Sequence, residues 1–192
     1  MVTINPPLTH FLTPERAAEL AADGLFADDL GGITTANEQL VGLWDGTVQR
    51  ACDLDPVQLD ERVGGEWSFI ETLRHLVFVN DVWVAEVIQE GASPNHPLGL
   101  PPDFIPAPVV AGMGLTVDAR PSLGEVCNLV AERRARMQGV LAELTPDDLT
   151  RTCTPRDGQF QVVGALQTVL FEIWAHHQYA TRDLATLEGT AD

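Results

Sequence analysis

Three hydroxyl residues, each followed three positions later by a glutamate, constrain this chain more than any other feature. The three pairs begin at Thr35, Ser68 and Ser122. In such a capping box the hydroxyl accepts the backbone amide three residues on, while the glutamate reaches back to the first amide. Each pair opens a long run in which apolar residues recur every three or four positions. The sequence therefore predicts long amphipathic helices with defined starting points.

The apolar pattern predicts four long helices and a shorter helix before them. The shorter helix runs from Thr13-Pro14 to Asp23-Gly24, with a cap residue followed by proline at its start. The long helices are predicted over about residues 36–51, 69–89, 123–144 and 163–187.

The segments between these helices are of two kinds. Residues 91–121 are rich in Pro and Gly and show no period, so we expect a long link whose apolar residues pack against the helices. Residues 151–162 are expected to hold a short extended piece. The predicted fold is all-α, a four-helix bundle with an extra N-terminal helix and a long Pro/Gly-rich link between helices two and three, in one domain over residues 1–192.

Composition excludes several classes of partner. The chain holds 28 Asp and Glu against 11 basic residues, all of them Arg, for a formal net charge of −17. Such a surface repels a phosphate backbone, so we expect no nucleic-acid partner. Cys52, Cys127 and Cys153 are odd in number and form no CxxC pair, which favours a reducing cytoplasm. We expect neither a signal peptide nor a membrane role, because no stretch approaches the ~20 apolar residues of a span.

The run from Glu172 to His177 contains the residues best suited to metal chemistry. Glu172 and His176 are four apart, one turn along a helix face, where a carboxylate and an imidazole can bind one divalent ion. The alternative is a helix-surface pair, but the apolar neighbours of Glu172 favour a nearby cation. His177 is a rival ligand that points into the core. The residue four positions before His177 is Ile173, which cannot bind a metal, so His177 has no second ligand on its own helix face. We therefore favour His176 and assign His177 a supporting or packing role.

His75 is the third candidate ligand, in the apolar helix predicted over residues 69–89. An unpaired polar group buried there would cost roughly 1–3 kcal/mol, so the imidazole needs a partner. It is either a core histidine satisfied by a hydrogen bond or a metal ligand. Glu71 lies one turn earlier but belongs to the capping box. His10 and His96 stand beside prolines in loop-like segments and are expected at the surface.

Two motifs resemble the DinB-like superfamily, and in particular its YfiT-like group of metalloenzymes, which includes the mycothiol-dependent maleylpyruvate isomerases. The motifs are Trp67-Ser68…His75-Leu76 and Gly164-Ala-Leu…Glu172-Ile-Trp-Ala-His176-His177-Gln-Tyr179-Ala…Arg182-Asp183-Leu184. The resemblance extends from helix one to the C-terminus and implies a four-helix bundle. It also implies a metal site of one His from helix two and a His-xxx-His pair from helix four. In the mycothiol-dependent branch the first member of that pair is Glu, so the implied ligands are His75, Glu172 and His176. The isomerases have an additional C-terminal domain, so their substrate is not carried over.

The resemblance leads us to expect a metal-dependent enzyme that uses a low-molecular-weight thiol, with mycothiol implied, for S-transfer or isomerisation of a small electrophile. Two imidazoles and one carboxylate suit Zn²⁺, with Ni²⁺ as an alternative. The other interpretations are a metal-dependent hydrolase of small molecules and a non-catalytic bundle that binds a ligand or a partner. A homodimer formed through an exposed helical face is compatible with all three.

Overall fold

The computed structural model describes residues 2–91, 95–155 and 158–189, and most of them are helical. The first of the long helices follows a short N-terminal one, and a small antiparallel hairpin precedes the last. The elements are α1 Pro14–Ala22, α2 Leu30–Ala51, α3 Pro56–Leu59, α4 Phe69–Asn80, α5 Ala107–Gly112, α6 Leu123–Glu143, β1 Thr152–Cys153, β2 Phe160–Gln161 and α7 Val162–Leu187. Short 3₁₀ helices cover Leu8–His10 and Pro146–Thr150, and a π-helix covers Asp81–Ile88.

The four long helices pack as the predicted bundle. Helix α7 lies against both α2 and α4, and α6 packs against α4. The buried apolar side chains between them form two clusters, with Ile173 packed against both, because each helix places an apolar stripe inward. Their largest fully buried members include Trp44, Leu73, Met137, Leu166 and Leu184. The all-α prediction is therefore confirmed.

Two of the three predicted capping boxes are confirmed and one is wrong. Ser68 and Ser122 accept the predicted amides and start α4 and α6. Helix α2 begins six residues before the predicted start, because the Asp29 carboxylate accepts the Gly32 amide at 2.9 Å and caps the helix there. Thr35 is an interior residue whose hydroxyl donates to the Gly31 carbonyl at 3.0 Å, so it is not a cap.

The second long helix is not the single α-helix predicted over residues 69–89. It is α-helical to Asn80 and π-helical over Asp81–Ile88, where the Gln89 amide donates to the Val84 carbonyl five residues earlier. This stretch is apolar on nearly every side, so an apolar period could not show the change in pitch. Asn80 and Asp81, at the junction, are polar and buried, and the Asp81 side chain is 0% exposed.

The link over residues 91–121 packs against the bundle in part, and residues 92–94 lie outside the described residues. Leu100 is buried, and its amide donates to the Arg74 carbonyl of α4 at 3.1 Å. Phe104 is 82% exposed, so the expected packing does not extend along the whole link. The short helix α5 within the link was not predicted.

The two remaining predictions about local structure are confirmed. Helix α1 is capped by Thr13, which accepts the Arg16 amide at 3.3 Å. The extended piece is the hairpin of β1 and β2, in which Thr152 pairs with Gln161; residues 156–157 lie outside the described residues. In the part of the chain that the structure describes, no helix is long and apolar enough to span a membrane.

Candidate metal centre

The three residues proposed as metal ligands meet between α4 and α7. One Glu172 carboxylate oxygen lies 3.5 Å from His75 Nε2 and 3.2 Å from His176 Nε2. Within the described residues they form the one group of three such side chains whose ligand atoms all lie within 4.8 Å of one another. Ligand atoms about 2.0–2.1 Å from a tetrahedral zinc ion lie about 3.3–3.4 Å apart. The two measured separations match that spacing, so the group could hold a divalent ion.

His75 is oriented by a backbone carbonyl from the link. Its Nδ1 lies 3.0 Å from the Leu100 carbonyl oxygen, which can only accept, so Nδ1 carries a proton. The other ring nitrogen, Nε2, is thereby turned toward Glu172. A histidine ligand in metal proteins normally donates its second N–H in this way. The hydrogen bond expected of a core histidine and the ligand geometry are therefore both present in one side chain.

Glu172 is an ionised carboxylate in a largely apolar setting. Its side chain is 29% exposed. Burial works to raise its pKa, but hydrogen bonds from His176 and His75 outweigh that effect and lower the pKa to about 2. The group is consequently charged across the neutral pH range, as a metal ligand must be.

Two aromatic residues flank the group, and sequence reasoning assigned no role to either. The Trp67 ring lies 4.6 Å from the His75 ring and stacks on His176 at 5.7 Å with an interplanar angle of 20°. Tyr179 meets His176 edge-on at 6.0 Å. One signal in the sequence could have identified Trp67. It directly precedes Ser68, the cap of α4, and His75 lies on that helix. These contacts make Trp67 one wall of the site.

One member of the group, His176, lines a cleft of about 300 Å³. Trp67 and Tyr179 line the same cleft, together with Arg62, Glu66, Thr72 and Asp103. The lining thus combines aromatic rings with polar and charged side chains. A small molecule that enters the cleft reaches His176 directly.

His177 lies apart from the three candidates. Its Nε2 is 2.9 Å from the Thr47 hydroxyl, and its ring meets Trp44 edge-on at 5.6 Å. Both partners belong to α2, and burial lowers the pKa of His177. The packing role expected of His177 is confirmed, and its alternative role as a ligand is not supported.

The remaining histidines lie outside the group. His10 is exposed, as expected. His96 is half-buried in a loop, and its Nδ1 accepts the Leu98 amide at 3.2 Å, so the expected surface position is met only in part.

A family model of the DinB superfamily matches residues 39–180, which include all three candidate ligands, the whole of α4 and most of α7. The chain belongs to the DinB superfamily. Neither a search of curated proteins nor a search of solved structures finds a match. DinB-like proteins are often metal-binding, and the His/Glu/His group gives this member a place for an ion.

Proposed function

We propose that this protein is a metal-dependent enzyme that activates a low-molecular-weight thiol, with mycothiol as the first candidate. His75, Glu172 and His176 would hold the ion, for which Zn²⁺ is the first choice and Ni²⁺ the second. The observation that carries the proposal is the convergence of these side chains from two helices beside an accessible cleft that His176 lines.

The donor set supports this choice of ion and chemistry. Two neutral imidazoles and one carboxylate suit Zn²⁺, and three protein ligands are the number typical of catalytic rather than structural zinc sites. When bound, such an ion lowers the pKa of a thiol at the remaining position, so that the sulfur becomes nucleophilic at neutral pH.

The residues of the cleft supply binding and orientation. Trp67 presents an aromatic surface beside His75 and His176, where the sulfur and methylene groups of a thiol can pack. The polar side chains of the cleft suit the hydroxyl and amide groups of a larger cosubstrate. Glutamate at position 172, the residue type of the mycothiol-dependent branch, favours mycothiol within this class. S-transfer to, or isomerisation of, a small electrophile is the reaction that follows.

One observation favours a second function, the hydrolysis of a small molecule. Asp103 lines the same cleft as His176, so a carboxylate is available as a general base for an attacking water. Glu66 also lines the cleft, but it pairs with Arg182 at 2.6 Å. The two functions differ in what enters the cleft beside His176.

Metal analysis of the purified protein is the first test. We expect about one Zn²⁺ or Ni²⁺ per chain in the wild type and in His177→Asn, the matched control on the same helix, and loss of the ion in His75→Ala and His176→Ala. Full metal content in both ligand variants would overturn the proposal.

Calorimetry then separates the functions. Mycothiol, cysteine and glutathione are titrated into metal-loaded protein alongside a screen of hydrolysable esters and amides. Thiol binding that is lost in Glu172→Gln supports the thiol enzyme. Hydrolysis without thiol binding favours the second function, and a metal-free wild type leaves a non-catalytic binding bundle.

A further inference from the structure

A fully buried arginine precedes His75 in α4 and clasps the link to the bundle. Arg74 is 0% exposed. Its guanidinium donates four hydrogen bonds, and in the described part of the chain all four go to backbone carbonyl oxygens. These are the carbonyls of Leu98 at 2.8 Å, Thr116 at 2.7 Å, Val117 at 3.0 Å and Ala119 at 2.8 Å.

The four carbonyls belong to two separate parts of the link. Leu98 lies where the link reaches α4, and residues 116–119 lie where it leaves toward α6. A guanidinium is planar and presents five donors in a fixed fork, so one side chain can bridge two chain segments. Burying a cation is costly unless it is fully hydrogen-bonded, and carbonyl dipoles supply that compensation here. Arg74 therefore fixes both ends of the link against α4.

Leu100, whose carbonyl orients His75, lies next to the segment that Arg74 binds. Leu100 is two residues after Leu98, and its amide donates to the Arg74 carbonyl at 3.1 Å. Its own carbonyl accepts the His75 Nδ1 proton at 3.0 Å. Arg74 thus holds the Leu100 peptide directly through its backbone carbonyl. It also holds it indirectly, because its guanidinium binds the Leu98 carbonyl two residues earlier.

Other contacts also hold the link: the Thr116 amide donates to the Pro97 carbonyl at 2.7 Å, and Arg120 lies 3.9 Å from Glu71. Glu71, one turn before His75, is bound by Arg62 through two hydrogen bonds of 2.8 Å. Asp81 accepts the His96 amide at 2.9 Å and holds the start of the described link, four residues before Leu100. Among the described contacts, the hydrogen bonds to the Leu100 peptide itself come from Arg74 and His75.

We propose that Arg74 is a positioning residue for the metal centre. By clasping the link it sets the Leu100 carbonyl, the carbonyl fixes the proton on His75 Nδ1, and Nε2 is left aimed at Glu172. The inference rests on the proposed function for the ion, but its effect on the His75 ring is a property of the metal-free protein as well.

The test compares Arg74→Met with Gln167→Met. Gln167 is a matched control, because it is also 0% exposed and also clasps a non-helical segment through carbonyls, those of Thr3 at 2.7 Å and Ala27 at 3.0 Å. Proton–nitrogen NMR of the metal-free proteins is expected to show a slowly exchanging His75 Nδ1 proton in the wild type and in the control. In Arg74→Met that signal is expected to disappear.

Zinc affinity, measured by competition with a chromogenic chelator, gives the second readout. Loss of an outer partner of a histidine ligand typically weakens metal binding about 10–100-fold. We expect that loss in Arg74→Met and a change within about twofold in Gln167→Met, with Arg74→Lys in between because an ammonium cannot span both segments. Wild-type zinc affinity and a retained Nδ1 signal in folded Arg74→Met would overturn the inference, as would an equal loss in the control.

A second variant covers a failure of Arg74→Met to fold. A Cβ at Gly99 would lie 3.4 Å from Phe78 Cβ and 3.2 Å from the His96 carbonyl oxygen, so Gly99→Val pushes the Leu100 segment off α4. An unchanged Nδ1 signal in Gly99→Val would count against the clasp. If the wild type binds no zinc while the Nδ1 signal still depends on Arg74, the proposed function fails and the positioning role stands.

Discussion

Two carboxylates of the bundle, Asp81 and Glu172, are both withdrawn from water but have different partners. Asp81 is fully buried and is bound by Arg133 at 3.0 and 3.2 Å and by Arg136 at 3.0 Å. Arginine is always protonated in proteins, so the negative charge of Asp81 is compensated permanently. The site is closed and needs no further ion.

Glu172 has only imidazoles beside it, at 3.2 and 3.5 Å, and one of them, His176, lines the cleft. Unlike a guanidinium, an imidazole can bind a metal ion through a ring nitrogen, so this site can accept a cation. The comparison teaches that the identity of the neighbours separates a structural carboxylate from one that is available to a ligand. Burial differs as well, since the Asp81 side chain is 0% exposed and the Glu172 side chain is 29% exposed.

The largest expected effect is on stability at Asp81. Asp81→Ala removes the buried partner of Arg133 and leaves it the exposed Glu132 carboxylate at 2.9 Å. Removing one member of a buried pair costs about 3–5 kcal/mol. Urea denaturation should show that loss in the free energy of unfolding, while zinc stoichiometry stays at the wild-type value. If Asp81→Ala lost less than about 1 kcal/mol of unfolding free energy, Asp81 would not be the structural carboxylate described above.

Glu172→Gln should show the opposite pattern. The amide keeps the shape but removes the charge, so we expect zinc affinity to fall by about 100-fold or more, which is at least about 2.7 kcal/mol. The loss in unfolding free energy of the metal-free protein should stay below that of Asp81→Ala. Equal zinc binding by the variant and the wild type, measured by chelator competition, would contradict a ligand role.

Glu71 provides an intermediate case with a pH dependence. Burial works to raise its pKa, but hydrogen bonds from Arg62 and the Ser68 amide outweigh it, and the net pKa lies below the ordinary 4.5. Its contribution is therefore fully present above about pH 4.5 and is lost as pH falls through the lower folded pKa. Glu71→Gln should cost about 1.5–3 kcal/mol at pH 7, and the gap to wild type should shrink below pH 4.5. If the difference in unfolding free energy between wild type and Glu71→Gln grew as the pH fell, the predicted direction of the pH dependence would be wrong.

Trp67→Ala tests whether the open site is also a binding site. Removal of the aromatic wall should weaken thiol binding by about tenfold, or about 1.4 kcal/mol, while zinc stoichiometry is unchanged. Trp174→Ala is the control, since that ring packs against Arg16 and Phe171. Calorimetry with the thiol checks both variants, and equal weakening would remove Trp67 from the site.

The smallest effect is expected for an exposed pair of the same residue types as the Asp81 cluster. Arg134 and Asp45 lie 2.5 Å apart, but the Asp45 side chain is 64% exposed. Asp45→Ala should change the free energy of unfolding by less than about 1 kcal/mol. A change as large as that at Asp81 would show that contact distance, and not burial, governs these pairs.

Local signals predicted most of the fold, and long-range pairings account for what they missed. Ser68 and Ser122 could be identified because a capping box lies within four residues. The start of α2 was misplaced because Asp29 is a cap of the same chemistry lying just upstream. The change to π-helix begins at Asp81, whose partners are arginines of α6 more than 50 residues away in the sequence.

The three candidate ligands could be named from the sequence, but the residues that hold them in place could not. Spacing and the family resemblance indicated His75, Glu172 and His176 and favoured His176 over His177. The Leu100 carbonyl and the Arg74 clasp could not be found in this way. Every residue has a carbonyl, and the clasped link carries no periodic pattern that would indicate where it meets α4.

The position of His75 on α4 and of its two companions on α7 also bears on the order of folding. Roughly a hundred residues separate His75 from Glu172, so neither helix carries a binding set alone. Contacts between residues so distant in sequence form late, because a long loop must be closed before they are made. Zinc added during refolding should therefore bind only after α4 and α7 have docked, and the rate of its uptake would time that docking step.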